Sequence, residues 1–328
     1  MVASSRQEAV VIGAGVSGLT TAIRLAETGV RVQVIAGRPP SRTTSALAGA
    51  SWGPYMVDDE RVTGWSATTL DEFARIADGD DCGVRFVRGM EASVEPAEPP
   101  AWATALSDYR LCDSTELPAG FVIGWWHTIP LIDMPVYLRY LTARLARSGV
   151  RVTELPRPLR SFAEVSLPGV LINCTGLGAR DLTKDPDLQA TRGQLVVVDN
   201  PGVDWFFQDS AEHGDLTYFL PHGDHVVMGG IAVDHDDAKD ALQPDPAVEK
   251  GIRERCELIE PRLAGAAVRE RRVGLRPNRA AGVRVEVDRS GDRTVIHNYG
   301  HSGCGVTLSW GCADEVVALL AGLRPGSE

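Results

Sequence analysis

The sequence lacks several features that would assign its class at once. No apolar run approaches the ~20 residues that a membrane-spanning helix needs, and no block of Lys and Arg stands out in a chain whose net charge is −11. None of its six cysteines lies in a Cys-x-x-Cys pair. These absences disfavour an anionic membrane or a nucleic acid as a binding partner. They also disfavour a zinc site and thioredoxin-like redox chemistry. We expect no metal, and reduced, mostly buried thiols.

A secretory signal is also missing, because the first strand is expected almost immediately, around residues 8–12. We therefore expect a cytoplasmic protein. The length of 328 residues corresponds to about two domains at roughly 150 residues each, which is enough for a sizeable core.

The first 36 residues form the best-defined pattern in the chain. An apolar run at 9–12 precedes a Gly-x-Gly-x-x-Gly turn, and an apolar helical face follows from Leu19 to Ala26. Gly29 then marks the end of the helix, and residues 30–35 alternate as a second strand. In this β-turn-α-β context the motif predicts dinucleotide binding. The residues of the turn are Gly13, Ala14, Gly15, Val16, Ser17 and Gly18.

The acidic residue expected after the second strand is absent, because the sequence there reads Ala-Gly-Arg38. Either the motif binds nothing, or Arg38 and nearby backbone groups contact the adenosine part instead; we favour the latter because the rest of the unit is intact. The following segment is rich in hydroxyl and small residues, which suits a loop against a pyrophosphate or flavin but equally an ordinary loop. Its candidate cofactor contacts are Thr43, Thr44, Ser45 and Gly49.

A second glycine turn lies near the other end of the chain, with three glycines in residues 300–305 and a helical pattern directly after it. Such a turn brings backbone N–H groups close to a planar or anionic ligand. An apolar strand at 170–174 also ends in a turn, at Thr175 and Gly176. Two glycine turns far apart in sequence suggest one large ligand held from two sides, which we predict to be non-covalently bound FAD. The candidate contacts in the last turn are Gly300, Ser302, Gly303, Gly305, Val306 and Thr307.

The nucleotide-binding pattern is therefore split into three pieces, with β-rich segments between them. We predict an α/β (α+β overall) fold with a Rossmann-like FAD-binding domain of glutathione-reductase type, made of residues 1–54, 134–190 and 271–328. An interleaved substrate domain with a mixed, largely antiparallel sheet is expected from 55–133 and 191–270. Within 55–133 we expect strands and irregular loops.

With these pieces in hand, the chain resembles the D-amino-acid oxidase family of FAD enzymes from residue 9 to about 320. The first glycine motif is shared by many flavoproteins, whereas the last stretch is specific to this family and its D-aspartate oxidase relatives. The other matching motifs are Thr43-Thr44, Ala48-Gly49, Pro54-Tyr55, 172–176, Arg192-Gly193-Gln194, 218–221, Gly229-Gly230, Arg276-Pro277, 297–301 and 310–313.

The resemblance implies roles for three residues at the substrate. Arg276, before a proline, binds the substrate carboxylate and borders the cofactor, since a guanidinium matches a carboxylate in a two-to-two arrangement. Tyr218 contacts the same carboxylate through its hydroxyl, and the carbonyl of Gly303 accepts from the substrate amine. We interpret His297 and His301 as structural or flavin-side polar groups and Arg279 as structural.

The implied reaction is oxidative deamination of a D-amino acid by hydride transfer from Cα to flavin N5, with oxygen as electron acceptor. The products are a 2-oxo acid, ammonia and hydrogen peroxide. A D-aspartate oxidase, a glycine or sarcosine oxidase, an NAD-dependent dehydrogenase and a non-catalytic flavoprotein are the alternatives. A homodimer is compatible with the sequence, which does not specify the preferred side chain.

Two departures from the family pattern concern the pocket. Gly214 stands where eukaryotic relatives often have a second tyrosine, and Gly53 replaces a glutamine before Pro-Tyr. Both changes remove bulk and polar contacts. Our hypothesis is a more open pocket that admits larger or more polar D-amino acids.

Overall fold

The computed structural model describes residues 7–55, 59–77, 79, 81–211, 214–235 and 242–323. These residues form two β-sheets and a group of helices. The strands are β1 (Glu8–Ile12), β2 (Arg31–Ala36), β3 (Ala50–Ser51), β4 (Val84–Ser93), β5 (Arg110–Leu111), β6 (Ile123–Ile132), β7 (Val152–Glu154), β8 (Val170–Asn173), β9 (Leu188–Asp199), β10 (Phe206–Asp209), β11 (Gly214–Pro221), β12 (His225–His235), β13 (Val268–Arg279), β14 (Arg284–Asp288) and β15 (Val295–Tyr299). The α-helices are α1 (Val16–Glu27), α2 (Val62–Ala77), α3 (Ala101–Thr104), α4 (Met134–Arg147), α5 (Ala179–Thr183), α6 (Pro246–Ile259) and α7 (Ser309–Ala321).

The first sheet has six strands in the order β14-β15-β8-β1-β2-β7. All neighbours are parallel except the β14–β15 pair. The central strand β1 is an apolar run, and Val10 and Val11 are fully buried because both faces of the sheet are covered. Helices α1, α4 and α7 pack together over one face, while the segment around Phe162 covers the other. This is the predicted Rossmann-like arrangement.

The helices begin and end where local chemistry dictates. Helix α4 begins after Asp133, whose side chain accepts a hydrogen bond from the N–H of Val136, and proline occupies the first turn. Helix α1 ends before Gly29, whose φ of 86° suits glycine. The boundary at Gly29 is the one expected from the sequence.

The second sheet has the strand path β13-β9-β12-β11-β10-β4-β6-β3, with β5 paired to β6. Its neighbours are antiparallel except for the parallel β10–β4 pair. The predicted mixed, largely antiparallel sheet is thus confirmed. Long strands place residues from distant parts of the chain in rows across one face, and this sheet supplies much of the wall of the site described below.

Two local predictions are wrong, and one strand was not predicted. Residues 62–77 form helix α2 rather than a strand or irregular loop, since apolar side chains recur at helical spacing and pack against α7. Residues 284–288 form β14, which the sequence pattern did not indicate. The last helix begins at Ser309, so Gly305 and Thr307 lie in the turns before it.

The predicted division into two domains stays a prediction. Sheet pairing and predicted segments differ at two places, because β3 and the second half of β13 pair within the nine-stranded sheet. In addition, α2 packs on the helices of the six-stranded sheet.

The six cysteines are free thiols, and all but the half-buried Cys112 are buried. This confirms the expectation of reduced, mostly buried thiols. Within the described ranges, no helix is both long and apolar enough to cross a membrane.

Candidate active site

The turn after β1 brings three chain segments into close contact. Gly13 has a φ of 117°, and a Cβ added there would lie 2.3 Å from the carbonyl oxygen of Cys174. A Cβ on Gly18 would lie 2.1 Å from the carbonyl oxygen of Gly13. Any larger side chain at either position would therefore separate α1 from the strand ends. The spacing of the motif follows from these backbone contacts.

The first turn of α1 presents backbone donors at this edge of the sheet. Helix α1 has Gly15 as its N-cap, so no capping side chain comes from the helix itself. Ser45 supplies one acceptor instead, because its Oγ accepts from the N–H of Val16 at 3.0 Å. Among the described residues, no hydrogen bond uses the N–H of Ala14 or Ser17. Open donors at a helix N-terminus favour an anionic group.

The end of β8 lies beside this turn. Strands β1 and β8 are parallel neighbours, with Ile12 opposite Asn173, so the turn that follows β8 meets the first glycine turn. Asn173 accepts from both the N–H and the hydroxyl of Thr175, at 3.3 and 2.7 Å. Gly176 has a φ of 56°. Thr175 and Gly176 therefore lie at the sheet edge where the sequence places them.

The loop between β15 and α7 is held mainly by its own backbone. The N–H of Cys304 donates to His301, and the N–H of Leu308 donates to Cys304. The N–H groups of Gly305, Val306 and Thr307 make no hydrogen bond within the described part of the chain. These groups form a second set of open donors.

Two residues at the start of this loop connect it to β13. Gly300 has a φ of 80°, and a Cβ there would meet the side chain of Arg279. Ser302 donates its N–H to Pro277 at 3.1 Å and its hydroxyl to Asn278 at 2.8 Å. These contacts place the loop beside the end of the strand that carries Arg276.

A cavity of about 180 Å³ lies between this loop and the nine-stranded sheet. Its walls come from the segments 44–55, 208–220, 272–276 and 303–307 and from two residues of β9. Seven of the predicted site residues line it: Thr44, Gly49, Tyr218, Arg276, Gly303, Val306 and Thr307. The remaining cofactor candidates do not line this cavity; they lie in the turns at 13–18, 175–176 and 300–305 and in the segment 38–45.

Arg276 points its guanidinium into this cavity from β13. Its Nη1 donates to the carbonyl oxygen of Ile231 at 3.0 Å, and among the described residues it has no carboxylate partner. A Cβ on Gly193, in the neighbouring strand, would lie 2.7 Å from Nη1. The glycine therefore provides the space that the guanidinium occupies. A half-buried cation without a counterion favours an anionic ligand.

Tyr218 lines the cavity from β11. Burial raises the pKa of its hydroxyl to about 12, although the nearby Arg276 acts in the opposite direction, so the phenol is neutral and can donate a hydrogen bond. A Cβ on Gly229, its cross-strand partner, would lie 2.0 Å from the ring. The two positions of the Gly229-Gly230 pair thus leave room for an aromatic ring.

The wall opposite these two residues is formed by Gly53 and Tyr55. Thr307 Oγ1 accepts from the N–H of Gly53 at 3.2 Å and donates to its carbonyl at 3.0 Å. A Cβ on Gly53 would lie 2.0 Å from the ring of Tyr55. The hypothesis that Gly53 opens the pocket is therefore wrong, because Tyr55 fills that space. Gly214 does not line the cavity; its effect stays a prediction, since residues 212–213 lie outside the described ranges.

The two histidines of the last stretch do not line the cavity. His297 is buried, with its ring nitrogens 3.2 Å from Asn173 Nδ2 and 3.3 Å from Asp288 Oδ2. His301 lies 2.9 Å from Asn298 Oδ1, and burial lowers its pKa to about 4. Neither has the exposure of a general base.

Two arginines outside the cavity have different surroundings. Arg279 pairs with Asp185 at 2.8 Å, in agreement with a structural role. Arg38 is exposed in the bend after β2.

Sequence reasoning missed several cavity residues. Tyr55 and Gly193 belong to motifs noted above but received no role. Gln208 and Arg272 carry no motif, and only strand pairing across the second sheet brings them to the cavity. A pattern search along the chain contains no signal for that pairing.

The arrangement fits FAD by two observations of the structure itself. Open backbone donors lie at the helix N-terminus behind Gly15 and again in the loop before α7, and glycines at both places permit close approach. Together with the parallel sheet, these features define a dinucleotide-binding flavoprotein fold with a substrate cavity beside it.

Comparisons with known proteins agree with this class. The family model described as "FAD dependent oxidoreductase" matches residues 8–319. The chain is 44% identical over 316 residues to a D-amino-acid oxidase from Rubrobacter xylanophilus, covering 95% of each chain. It is 43% identical over 319 residues to a D-amino-acid oxidase from Streptomyces coelicolor, covering 96% of this chain and 97% of that one.

A solved structure of glycine oxidase from Bacillus cereus shares the fold, with a TM-score of 0.78 at 16% identity over 98% of this chain and 96% of that one. The protein belongs to the FAD-dependent oxidoreductase family that includes the D-amino-acid oxidases.

Proposed function

We propose that this protein is an FAD-dependent D-amino-acid oxidase that converts D-amino acids to 2-oxo acids, ammonia and hydrogen peroxide. The observation that carries the proposal is Arg276, a guanidinium that lines the cavity and has no carboxylate partner among the described residues. The curated relatives at 43–44% identity support the same activity.

We assign the substrate contacts to three residues. Arg276 binds the carboxylate, and its charge-assisted hydrogen bonds contribute roughly 1.5–3 kcal/mol. Tyr218 donates its neutral hydroxyl to the same group. The carbonyl oxygen of Gly303, which accepts no hydrogen bond among the described residues, faces the amine. With both polar groups of the substrate fixed, the Cα–H bond has one orientation in the cavity.

When bound, FAD would supply the acceptor for the hydride from Cα and the route for the electrons to oxygen. We assign its phosphates to the turn 13–18, with the hydroxyl-rich loop at 43–45 beside it. Thr175 and Gly176 border the same part of the cofactor, and Arg38 serves the adenosine end. Gly49 and the loop 300–307 face the ring system, where open N–H groups stabilise negative charge by about 0.3–1 kcal/mol.

The proposed reaction needs no side-chain base. Asp209 is the carboxyl group that lines the cavity, and its Oδ2 accepts from the N–H of Thr217 at 2.7 Å. Burial raises the pKa of Asp209 to about 6. Its hydrogen bond to the backbone indicates a structural role, so orientation by Arg276, Tyr218 and Gly303 carries the catalysis.

An anaerobic experiment tests this function. We expect the flavin absorbance of the purified protein to bleach with D-alanine and to persist with L-alanine, and readmitted oxygen to restore it with release of hydrogen peroxide. Bleaching by neither isomer, or by the L-isomer alone, would contradict the proposal.

One observation favours a second candidate, a D-aspartate oxidase. Arg272 also lines the cavity, and a second cation is what a side-chain carboxylate would need. However, Arg272 already pairs with Glu270 at 2.8 Å through both Nε and Nη2. We therefore rank D-alanine above D-aspartate, and much higher kcat/KM with D-aspartate would reverse the order.

A cytoplasmic location and a homodimer stay predictions.

A further inference from the structure

The ring of Tyr55 takes the space of a missing side chain. As described above, a Cβ on Gly53 would lie 2.0 Å from the ring, so a side chain there would require the ring to leave its present position. The ring also makes an edge contact with Trp102, at 5.4 Å between centroids and 89° between planes. Since Tyr55 lines the cavity, the position of its ring sets the room left for a substrate on this side.

Hydrogen bonds from two side chains fix this ring. The hydroxyl of Tyr55 donates to Oε2 of Glu91 at 2.9 Å and accepts from Nε2 of Gln208. Gln208 is held in turn by Ser51, whose hydroxyl donates to its Oε1 at 3.2 Å. The hydroxyl thus has both a donor and an acceptor, so rotation of the ring would break two bonds at once.

Strand pairing places these groups in one row across the sheet. Glu91 on β4 lies opposite Gln208 on β10, and Gln208 lies opposite Tyr218 on β11. The row therefore runs from Glu91, which holds the hydroxyl of Tyr55, to Tyr218, which we assign to the substrate carboxylate. Both ends of the cavity are built on the same rigid strands, which is how a binding geometry is kept precise.

Glu91 is an unusual support, because it is only 2% exposed and no arginine or lysine pairs with it among the described residues. Burial, together with the nearby Asp209, raises its pKa to about 8. The carboxyl group is mostly protonated at neutral pH, so its contribution at the cavity is hydrogen bonding rather than charge. A glutamine has nearly the same shape and keeps the acceptor oxygen.

We propose that Tyr55 limits the size of the substrate side chain and that Glu91 and Gln208 are the positioning residues that hold its ring over Gly53. This inference rests on the proposed function and adds a determinant of which D-amino acids are accepted. It replaces the hypothesis of a pocket opened at Gly53 with a pocket closed there by an aromatic ring.

The test is the ratio of kcat/KM for D-phenylalanine to kcat/KM for D-alanine. Glu91→Leu removes the acceptor, and we expect the ratio to rise about tenfold, the scale of discrimination that pocket shape provides. Glu91→Gln keeps the acceptor and should leave the ratio at the wild-type value. Bound flavin and the thermal midpoint are measured for each variant.

Tyr137 offers a matched control for the tyrosine itself. Its hydroxyl is buried away from the cavity and accepts from Nε1 of Trp310 at 2.8 Å. Tyr55→Phe and Tyr137→Phe each remove one buried hydroxyl, but we expect only Tyr55→Phe to raise the ratio. In the Tyr55→Phe background, Glu91→Leu should add nothing further, because the bond it removes is already lost.

Equal ratios in the wild type, Glu91→Leu and Tyr55→Phe would overturn the inference, as would an equal rise in Tyr137→Phe. If Glu91→Leu fails to fold, Tyr55→Phe carries the same test, since it removes both bonds and keeps the ring. A wild-type protein that oxidises neither D-alanine nor D-phenylalanine would contradict the proposed function itself, which is a different result.

Discussion

Two carboxyl groups, Glu72 and Glu91, are almost equally buried but have opposite surroundings. Glu72 on α2 pairs with Arg24 at 2.9 Å and Arg144 at 2.6 Å. Burial alone would raise the pKa of Glu72, yet these arginines hold it below its usual value. Glu91 has no ion-pair partner among the described residues, and burial together with the nearby Asp209 raises its pKa to about 8.

The difference separates a region that maintains the fold from one that receives a ligand. Around Glu72 the charges neutralise one another, and Arg24 and Arg144 also lie 4.5 and 4.9 Å from the ring of Trp310 on α7. At the cavity, Arg276 lacks such a partner and Glu91 adds no charge at neutral pH. The guanidinium of Arg276 therefore remains available to attract a carboxylate.

The largest effect on stability is expected for Glu72→Ala. Removal of this carboxylate takes away the buried partner that Arg24 and Arg144 share and leaves them only the more exposed Glu27 and Asp314, which should lower the free energy of unfolding by about 3 kcal/mol. Urea unfolding measures the change, with Glu254→Ala in the exposed Lys250–Glu254 pair as control. A loss no larger than that of the control would show that the cluster does not stabilise the helices.

Arg276→Ala should impair catalysis strongly but change stability little. We expect kcat/KM with D-alanine to fall, which corresponds to a loss of about 2–5 kcal/mol of transition-state stabilisation. Both a higher KM and a lower kcat should contribute, because an unanchored carboxylate misaligns Cα–H. The free energy of unfolding should change little, since Arg276 contributes no ion pair among the described residues. Unchanged kinetics would remove Arg276 from the substrate site.

The two carboxyl groups also predict opposite pH effects on stability. The pKa of Glu91 is higher in the folded protein, so its contribution to stability is lost as pH rises from 4.5 to about 8. Glu91→Gln should flatten that part of the curve. The pKa of Glu72 is lower in the folded protein, so its contribution is lost on acidification. Thermal midpoints measured from below pH 4.5 up to about pH 8 test both effects, and an unchanged slope in Glu91→Gln would contradict the assignment.

Tyr218→Phe is expected to have the smallest effect. The loss of one neutral hydrogen bond to the substrate should cost about 0.5–1.5 kcal/mol in kcat/KM. The effect should appear mainly in KM for D-alanine, because Arg276 still holds the carboxylate. A loss as large as that of Arg276→Ala would mean that the hydroxyl has a further role.

The sequence predicted those parts of the molecule whose signals are local. The glycine turn at 13–18, helix α1 and the helical pattern after the last glycine turn follow from spacing and turn chemistry within short windows. The cluster around Glu72 was not predicted, because four separate helices contribute to it. Helix α2 was not predicted, because scattered aromatic residues obscured its helical period.

The residues of the candidate site also fall into those with a local sequence signal and those that only the fold brings together. Arg276, Tyr218 and the last glycine turn were found because they lie in recognisable motifs. Glu91 and Gln208 lie 117 residues apart in sequence and meet only through β4–β10 pairing. The effect assigned to Gly53 was wrong for a related reason: the sequence shows a missing side chain, but not the aromatic ring that fills its place.

The central claim is that Arg276 takes the substrate carboxylate as its counterion. The most direct measurement compares kcat/KM for D-alanine and for D-alaninol, which lacks the carboxylate, in the wild type and in Arg276→Ala. We predict a strong wild-type preference for D-alanine that largely disappears in the variant. The same preference in both proteins would contradict the claim.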